Sequence, residues 1–314
     1  MRYRPLGSTG LKVSEVGFGA WAIGGNAHGN SYGPTEDEAS IAAIEKAVES
    51  GCNFFDTADV YGHGHSEELL GKALKGHRED MIIATKVGGD FYHGQPRMNF
   101  NSDYVEFAVE KSLERLGTDY LDLLQMHNPP LQLIRNSNLY LPFEKLKKLG
   151  KIRHYGLSIH NPQEGLEAMK YGGPESIQVV FNLLRQEAKM KLFESARDKN
   201  VGVIAREPLA NGFLTGKYNE DTVFPPGDIR HNFPREYIRG LIRASDQLKF
   251  LESKQRTLSQ ASLRFVLDHK EISTVIPGAK GPAQSEQNMR ASNLPNLTGE
   301  ELLRIKFLTE QGSE

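Results

Sequence analysis

Phe54-Phe55-Asp56-Thr57-Ala58-Asp59-Val60-Tyr61-Gly62 is the stretch around which the rest of this sequence is organised. It continues the apolar, strand-like run 52–55 and brings a carboxylate, a phenol and a glycine turn together within a few residues. A strand end aims a side chain rigidly, while the loop that follows stays open to a ligand. We therefore expect a functional site at this point of the chain.

Two further strand-like runs end in the same manner. Residues 81–85 are followed by Lys86, and residues 121–126 are followed by His127. Because the parallel strands of one sheet end at the same edge, ionisable groups that follow successive strands come close together. The candidate catalytic cluster consists of Asp56, Tyr61, Lys86 and His127.

The order of the predicted elements favours one barrel. A predicted β-hairpin over residues 1–15 precedes eight alternations of strand and helix, with no low-complexity linker between them. Thr35 and Glu38 stand at the spacing of a capping box and predict the start of the first barrel helix. The pattern predicts an α/β fold, a (β/α)8 TIM barrel that forms a single domain over residues 1–314. The alternative is an open doubly wound sheet, but the first βα turn, residues 17–21, is a poor dinucleotide-binding glycine motif.

Three long loops are predicted, and each follows a strand: residues 87–101, 128–141 and 206–256. In a barrel, such loops lie at the C-terminal face of the strands, where the candidate cluster also lies. Their larger apolar side chains are candidates for a pocket wall: Phe91, Tyr92, Phe100, Leu131, Phe224, Phe233 and Tyr237. Their arginines are candidates for binding a phosphate or a carboxylate: Arg97, Arg135, Arg230 and Arg235.

Composition and charge argue against several classes of partner. Of the 314 residues, 38% are hydrophobic and 25% are charged, and the formal net charge of −2 favours neither nucleic acid nor an anionic membrane. The single cysteine, Cys52, allows no intramolecular disulfide. No apolar stretch approaches the roughly 18 residues of a membrane span, and residues 1–5 lack the apolar core of a signal peptide. We expect a cytoplasmic protein with neither nucleic-acid nor membrane partners and no bound metal.

The candidate cluster contains proton-transfer groups. A phenol such as Tyr61 is a weak acid that can give a proton to an alkoxide forming on a carbonyl carbon. An ammonium group at Lys86 is expected to lower the pKa of Tyr61, and Asp56 is expected to keep Lys86 protonated. His127 is expected to hydrogen-bond the carbonyl oxygen. Because these groups hold no reductant, a hydride has to come from a cofactor.

The sequence resembles the aldo-keto reductase family nearly from end to end, from LGSTGLKVS at residues 6–14 to IPGAK at residues 276–280. FFDTADVYG resembles a specific signature of that family, supported by IATK at Lys86, LLQMH at His127 and GLS at Ser158. The resemblance implies a barrel with a catalytic tetrad in which Tyr61 donates the proton. It also implies NADP(H) as the cofactor, with NAD(H) as the alternative, bound across the mouth of the barrel.

By the same resemblance, Trp21 would lie near the nicotinamide, and Ser158 and Gln178 would hold its carboxamide. Residues 212–217 resemble the loop that grips the pyrophosphate, and Lys280 would pair with a 2′-phosphate. The full set of cofactor-binding residues implied by the resemblance is Gly19, Trp21, Asp56, Ser158, Gln178, Arg206, Leu209, Leu214, Gly216, Lys217, Gly278, Lys280, Gln284, Gln287 and Asn288.

Three positions depart from the family pattern. Arg206 stands where many relatives stack an aromatic ring on the nicotinamide, although a guanidinium plane can also stack. Ile159 follows Ser158, where many relatives have Asn, so the predicted carboxamide contacts rest mainly on Ser158 and Gln178. Gln284 replaces a second cation of some relatives, which leaves fewer charges for a 2′-phosphate.

The sequence thus predicts NADPH-dependent, reversible reduction of an aldehyde or ketone, with a small-molecule carbonyl compound as the substrate. A phosphorylated, sugar-like aldehyde and an aromatic aldehyde both stay open. One alternative is a cofactor-binding regulatory subunit of the same family. Another is a barrel aldolase in which Lys86 forms a Schiff base, which requires a lysine of low pKa.

Overall fold

The computed structural model describes residues 1–29 and 31–311. The strands are β1 (Tyr3–Pro5), β2 (Lys12–Ser14), β3 (Phe18–Gly19), β4 (Phe54–Asp56), β5 (Ile82–Val87), β6 (Gly89–Asp90), β7 (Arg97–Met98), β8 (Leu121–His127), β9 (Ile152–Ser158), β10 (Ser176–Val180), β11 (Gly202–Arg206) and β12 (Ile272–Val275). The helices are α1 (Asp37–Glu49), α2 (His65–Ala73), α3 (Ser102–Leu116), α4 (Leu131–Ile134), α5 (Leu141–Lys148), α6 (Pro162–Tyr171), α7 (Leu192–Asp198), α8 (Arg235–Gln247), α9 (Leu258–Leu267), α10 (Pro282–Arg290) and α11 (Gly299–Gln311).

Eight of the strands in the described ranges pair in parallel, in the order β3-β4-β5-β8-β9-β10-β11-β12. Hydrogen bonds between the two ends of this order close the sheet. The N–H of Gly17 donates to the carbonyl of Val275 at 2.8 Å, and the N–H of Val275 donates to the carbonyl of Glu15 at 2.9 Å. Gly19 is required at this seam, because a Cβ there would lie 2.6 Å from the carbonyl oxygen of Ile276. The prediction of a (β/α)8 barrel is confirmed.

The N-terminal hairpin, β1 paired antiparallel with β2, plugs one end of the barrel. Leu6 and Val13 of this hairpin pack against inward-pointing residues of the barrel strands, among them Phe54, Leu123 and Ile204. A larger apolar layer fills the space between the strands and the surrounding helices. With the N-terminal end of the barrel closed, the C-terminal ends of the strands form the open end.

The first barrel helix does not begin with the predicted capping box. Helix α1 starts at Asp37, Glu36 occupies the N-cap position, and no side chain caps the helix. The hydroxyl of Thr35 donates instead to the carbonyl of Ile23 at 3.5 Å. The capping-box prediction was wrong because the Thr35 hydroxyl bonds to the preceding loop instead. Local sequence spacing does not encode such a contact.

The long loops carry structure of their own. The first contains the short antiparallel pair of β6 and β7, and the second contains α4. The third contains α8, whose Ile238 and Ile242 form a separate apolar cluster with Phe213 and Phe224. No helix within the described ranges combines the length and apolar character needed to cross a bilayer.

A buried ion cluster ties the hairpin to the barrel. Glu15, whose side chain is 2% exposed, accepts hydrogen bonds from Arg2 at 2.9 Å, Arg4 at 3.0 Å and Arg264 at 3.2 Å. Arg264 is equally buried and also donates to Asp268 at 2.9 Å. Burial alone would raise the pKa of Glu15, but Arg4 and Arg264 hold it below its ordinary value. The carboxylate is therefore ionised and offsets the positive charges of the buried Arg264 and the partly buried Arg4.

We predict that Glu15→Ala lowers the free energy of unfolding by about 3–5 kcal/mol, because it removes the buried carboxylate that pairs with both Arg4 and Arg264. Glu49→Ala, which removes the exposed partner of Lys46, is the matched control and should cost less than about 1 kcal/mol. Urea denaturation of both variants measures the difference. Equal losses would show that the buried cluster does not stabilise the barrel more than a surface pair does.

Candidate active site

The structure brings the four predicted catalytic residues together at the open end of the barrel. The ammonium of Lys86 donates to the carboxylate of Asp56 at 2.5 Å and to the backbone carbonyl of Thr57 at 2.9 Å. It also lies 3.1 Å from the hydroxyl oxygen of Tyr61. Asp56 on β4 is paired with Ala84 on β5, and Ala84 points into the barrel. Because side chains alternate between the two faces of a strand, Lys86, two residues further along β5, points the same way.

The second carboxylate oxygen of Asp56 is held by two amides. Gln125 on β8 donates to it at 3.1 Å, and Gln178 on β10 donates at 2.7 Å. Gln125 was not among the predicted site residues, although its position in the sequence indicates its orientation. Gln125 lies two residues before His127 on the same strand, so it shares the inward face with the predicted histidine.

His127 lies beside the phenol at the end of β8. The two ring centroids are 5.8 Å apart, and the rings meet edge to face at 83°. Burial lowers the pKa of His127 well below its ordinary value, with further lowering by the positive charges of Lys86 and Arg206. His127 is therefore a neutral imidazole at neutral pH and can donate one N–H hydrogen bond.

The pKa of Tyr61 differs from the expectation. Burial raises it, and Asp56 acts in the same direction, while Lys86 lowers it; the net result lies above the ordinary tyrosine value. The expected influence of Lys86 is present but is outweighed by desolvation, which depends on tertiary packing and cannot be read from local sequence. Burial alone would lower the pKa of Lys86, but Asp56 and Tyr61 raise it above its ordinary value. Lys86 is thus an ammonium and Tyr61 a neutral phenol.

A cavity of about 960 Å³ opens above this cluster. Most of the predicted site residues line it: Gly19, Trp21, Asp56, Tyr61, His127, Gln178, Arg206, Leu209, Lys217, Gly278, Lys280, Gln284, Gln287 and Asn288. Four predicted residues do not: Lys86, Ser158, Leu214 and Gly216. Both Lys86 and Ser158 are buried next to residues that do line the cavity: Lys86 hydrogen-bonds Asp56, and Ser158 is paired with His127 on the neighbouring strand.

Two residues of the loop expected to grip a pyrophosphate, Leu214 and Gly216, do not line the cavity. Leu214 is fully buried in the main apolar layer, and its N–H donates to the carbonyl of Leu209 at 3.1 Å. The N–H of Gly216 donates weakly, at 3.4 Å, to the carbonyl of Phe213. These two N–H groups are used within the loop, whereas Gly212, Thr215 and Lys217 line the cavity, with Lys217 as the charged side chain among them.

Left-handed backbone is concentrated around the cavity. Non-glycine residues with positive φ that line it are Asn128 at 56°, Glu207 at 53° and Asn211 at 55°. Such conformations cost free energy and persist where surrounding contacts or function require them. The loops at this end of the barrel are therefore shaped for the cavity.

Of the loop residues considered for a substrate pocket, Phe233 and Arg230 line the cavity. Phe91 does not, because its ring stacks between those of His63 at 4.4 Å and Tyr92 at 4.2 Å. Cavity-lining residues that sequence analysis did not single out include Tyr32, Asn128, His160, Arg185, Asn211 and Ser259. Ser259 lies in the first turn of α9, and the others lie in separate loops whose paths are set by tertiary contacts. Only proximity to a strand end, as for Asn128 after His127, could have indicated them.

Two loops cross near the far end of the cavity, where several cationic side chains lie close together. The N–H of Ile229 donates to the carbonyl of Ser31 at 2.7 Å, and Tyr32 pairs with Asp228. The ammonium of Lys280 donates to the carbonyl of Tyr32 at 2.7 Å. Burial lowers the pKa of Lys280; Asp228 acts in the opposite direction, whereas the nearby positive charges of Arg230 and Lys217 lower it further.

The cavity therefore has a catalytic end and a cationic end, which matches the two ends of a phosphorylated dinucleotide. At the catalytic end, the buried hydroxyl of Ser158 has no hydrogen-bond partner among the described residues, so a bound polar group can satisfy it. At the cationic end, Lys217 and Lys280 can meet phosphate. No cluster of three or more His, Cys, Asp or Glu side chains in the described part of the chain could hold a metal ion.

Comparisons with known proteins agree with this geometry. A family model described as the Aldo/keto reductase family matches residues 15–310. The chain is 32% identical to the uncharacterized oxidoreductase YqkF of Bacillus subtilis, over 99% of this chain and 97% of that protein. It is 30% identical to the NADH-specific methylglyoxal reductase of Escherichia coli, over 99% of each.

Among solved structures, the holo form of the aldo-keto reductase AKR11C1 from Bacillus halodurans matches with a TM-score of 0.81 and 32% identity, over 98% of this chain and 96% of that chain. A family match across most of the sequence and a shared barrel lead to one conclusion: this chain belongs to the aldo/keto reductase family, oxidoreductases that act on carbonyl compounds.

Proposed function

We propose that this protein reduces an aldehyde or ketone to an alcohol, reversibly, with a nicotinamide dinucleotide as the hydride source and NADPH as the preferred one. The observation that supports this proposal is the buried chain of hydrogen bonds from Asp56 through Lys86 to Tyr61, beside a neutral His127. It ends in a phenol that keeps its proton and opens on the cavity.

Tyr61 is proposed as the proton donor. In carbonyl reduction, the carbonyl carbon receives a hydride, and its oxygen takes the phenolic proton as the new O–H bond forms. The phenolate left behind is stabilised by the ammonium of Lys86, 3.1 Å away. Asp56 keeps that ammonium charged and fixed, and Gln125 and Gln178 fix Asp56 in turn.

His127 is proposed to orient the carbonyl. A neutral imidazole donates an N–H to the substrate oxygen without competing with Tyr61 for the acidic proton. Trp21 and Phe233 line the same cavity and can contact the apolar part of a substrate. The substrate is proposed to be a small carbonyl compound.

The cofactor-binding roles divide between the two ends of the cavity. The nicotinamide supplies the hydride when bound. Ser158, Gln178 and Arg206 are proposed to hold it at the catalytic end. The residues proposed for the phosphates and the adenosine are Lys217, Gly278, Lys280, Gln284, Gln287 and Asn288, with Leu214 and Gly216 shaping the loop behind them. Gly19, Trp21 and Leu209 are proposed as walls of the channel.

The preference for NADPH is argued from charge. Lys280 lies close to Arg230 and Lys217, so the cationic end favours an additional phosphate. The Escherichia coli relative is named as NADH-specific, so the choice of cofactor has to be measured for this chain. The alternative aldolase role is less well supported, because Lys86 is held as an ammonium and an amine nucleophile requires the neutral form.

The other alternative, a regulatory subunit that binds the cofactor, does not need the proton-transfer groups. The complete hydrogen-bonded set around Lys86 therefore favours an enzyme. We further propose that the barrel is the single domain of the chain and that the protein acts in the cytoplasm.

We predict that Tyr61→Phe lowers kcat for carbonyl reduction by about 10²–10⁴-fold, because it removes the proton donor. The Kd for the cofactor should change little, since the ring remains. Steady-state kinetics and cofactor titration measure the two effects. Tyr171→Phe, at an exposed tyrosine, is the matched control. Full activity of the Tyr61 variant would overturn the assigned role.

The pH dependence follows from the two perturbed groups. Protonated Tyr61 is present below its pKa, which is raised, and neutral His127 is present above its pKa, which is depressed. With saturating NADPH, kcat/KM for carbonyl reduction should therefore stay level between about pH 7 and pH 9. A titration midpoint inside that window in the pH profile would show that one of the two groups carries the wrong charge for its proposed role.

We predict that Lys280→Met weakens NADPH binding by about tenfold or more while NADH binding changes less, because the lost charge faces the additional phosphate. Calorimetric titration with each dinucleotide gives the comparison. Lys148→Met, at an exposed lysine of α5, is the control. Equal losses for both dinucleotides would place Lys280 elsewhere than at the 2′-phosphate.

A further inference from the structure

Asn128 lies directly after His127 and lines the same cavity. Its backbone has a φ of 56°, in the left-handed region that Asn tolerates better than most residues. Its N–H donates to the carbonyl of Ser158 at 2.8 Å. The side-chain oxygen Oδ1 is buried and finds no hydrogen-bond partner in residues 1–29 and 31–311. A buried polar atom in this state destabilises the free protein unless a ligand supplies its partner.

Two neighbouring side chains share this property. The hydroxyl of Ser158 and the Nε of Arg206 are buried, and neither has a hydrogen-bond partner within the described part of the chain. The three residues are adjacent, because Asn128 bonds to the backbone of Ser158 and Arg206 donates to the carbonyl of Ile159 at 3.1 Å. Unpaired donors and an unpaired acceptor thus lie together at the ends of β8, β9 and β11.

A planar carboxamide fits this set, because it offers one carbonyl acceptor and two N–H donors. The hydroxyl of Ser158 can donate to the carbonyl oxygen. Gln178 donates its amide nitrogen to Asp56 at 2.7 Å, so its Oε1 is left as one acceptor for a carboxamide N–H, and Ile159 has no polar side chain. Because a carboxamide has two N–H donors, a second acceptor is needed, and the buried Oδ1 of Asn128 can supply it.

We propose that Asn128 binds the carboxamide of the nicotinamide ring by accepting an N–H through Oδ1. This inference rests on the proposed use of a nicotinamide cofactor. Holding the carboxamide fixes the rotation of the ring, and so fixes which face of the ring is presented to the carbonyl bound at Tyr61 and His127. Asn128 thereby supplies the amide contact that Ile159 cannot make.

The test is the binding of three ligands to Asn128→Gly, measured by calorimetry. Glycine adopts a φ of 56° without strain, so the variant deletes the amide and spares the backbone. NADP⁺ should bind about tenfold more weakly. The 3-acetylpyridine analogue, which has a methyl group in place of the amide nitrogen, and 2′-phospho-ADP-ribose, which lacks the ring, should each change by less than about twofold.

Asn200→Gly is the matched control, because Asn200 is also left-handed, with a φ of 53°, and is exposed in the turn before β11. It should bind all three ligands as the wild type does. If the wild type prefers NAD⁺, then NAD⁺, its acetylpyridine analogue and ADP-ribose form the corresponding series.

Three results would overturn the inference while leaving the proposed function intact. They are unchanged binding of NADP⁺ to Asn128→Gly, equal weakening of all three ligands, and a raised KM for the carbonyl with an unchanged Kd for NADP⁺. Unchanged binding of NADP⁺ would show that Asn128 makes no contact with it. Equal weakening of all three ligands would show a general structural effect of the substitution. A raised KM with an unchanged Kd would show that Asn128 contacts the substrate instead. Failure of the wild type to bind either dinucleotide would instead overturn the proposed function, and the inference with it.

Discussion

The ion pair between Lys86 and Asp56 is the interaction on which the rest of the site depends. Its atoms lie 2.5 Å apart, and the two side chains are 0% and 3% exposed. Two buried charges are tolerated only where their remaining hydrogen-bonding capacity is satisfied. Gln125 and Gln178 satisfy the carboxylate, while the carbonyl of Thr57 and the phenol of Tyr61 satisfy the ammonium. Strands β4, β5, β8 and β10 have to converge for this to happen, and a closed barrel makes them converge.

Strands and loops contribute different parts of the cavity. The proton-transfer groups stand on or just after strands, where neighbouring hydrogen bonds fix their positions. The remainder of the cavity is built from loops that contain left-handed residues, such as Glu207 and Asn211, and that cross where Ile229 bonds to Ser31. Beneath these loops, the Glu15 ion cluster ties the hairpin to the barrel.

The sequence predicted the features that local pattern encodes. Apolar runs that end in ionisable residues located the four catalytic candidates and the barrel, and strand alternation also contained the information needed to find Gln125. The features it missed depend on contacts between distant segments. The hydroxyl of Thr35 bonds to a preceding loop, Leu214 turns inward, and desolvation reverses the expected direction of the Tyr61 pKa shift. Tyr32 reaches the cavity only because two long loops meet there.

The central claim is that this barrel transfers a hydride from a nicotinamide ring to a carbonyl carbon beside Tyr61. The most direct measurement uses NADPH carrying deuterium on one face of ring carbon C4, with methylglyoxal as a small carbonyl substrate and mass spectrometry of the alcohol. Deuterium is expected on the carbinol carbon from one labelled face and not from the other, because the ring is held in one orientation. An alcohol that carries no deuterium with either labelled form of NADPH would contradict hydride transfer from the nicotinamide ring. The absence of alcohol from every carbonyl compound offered would contradict it as well.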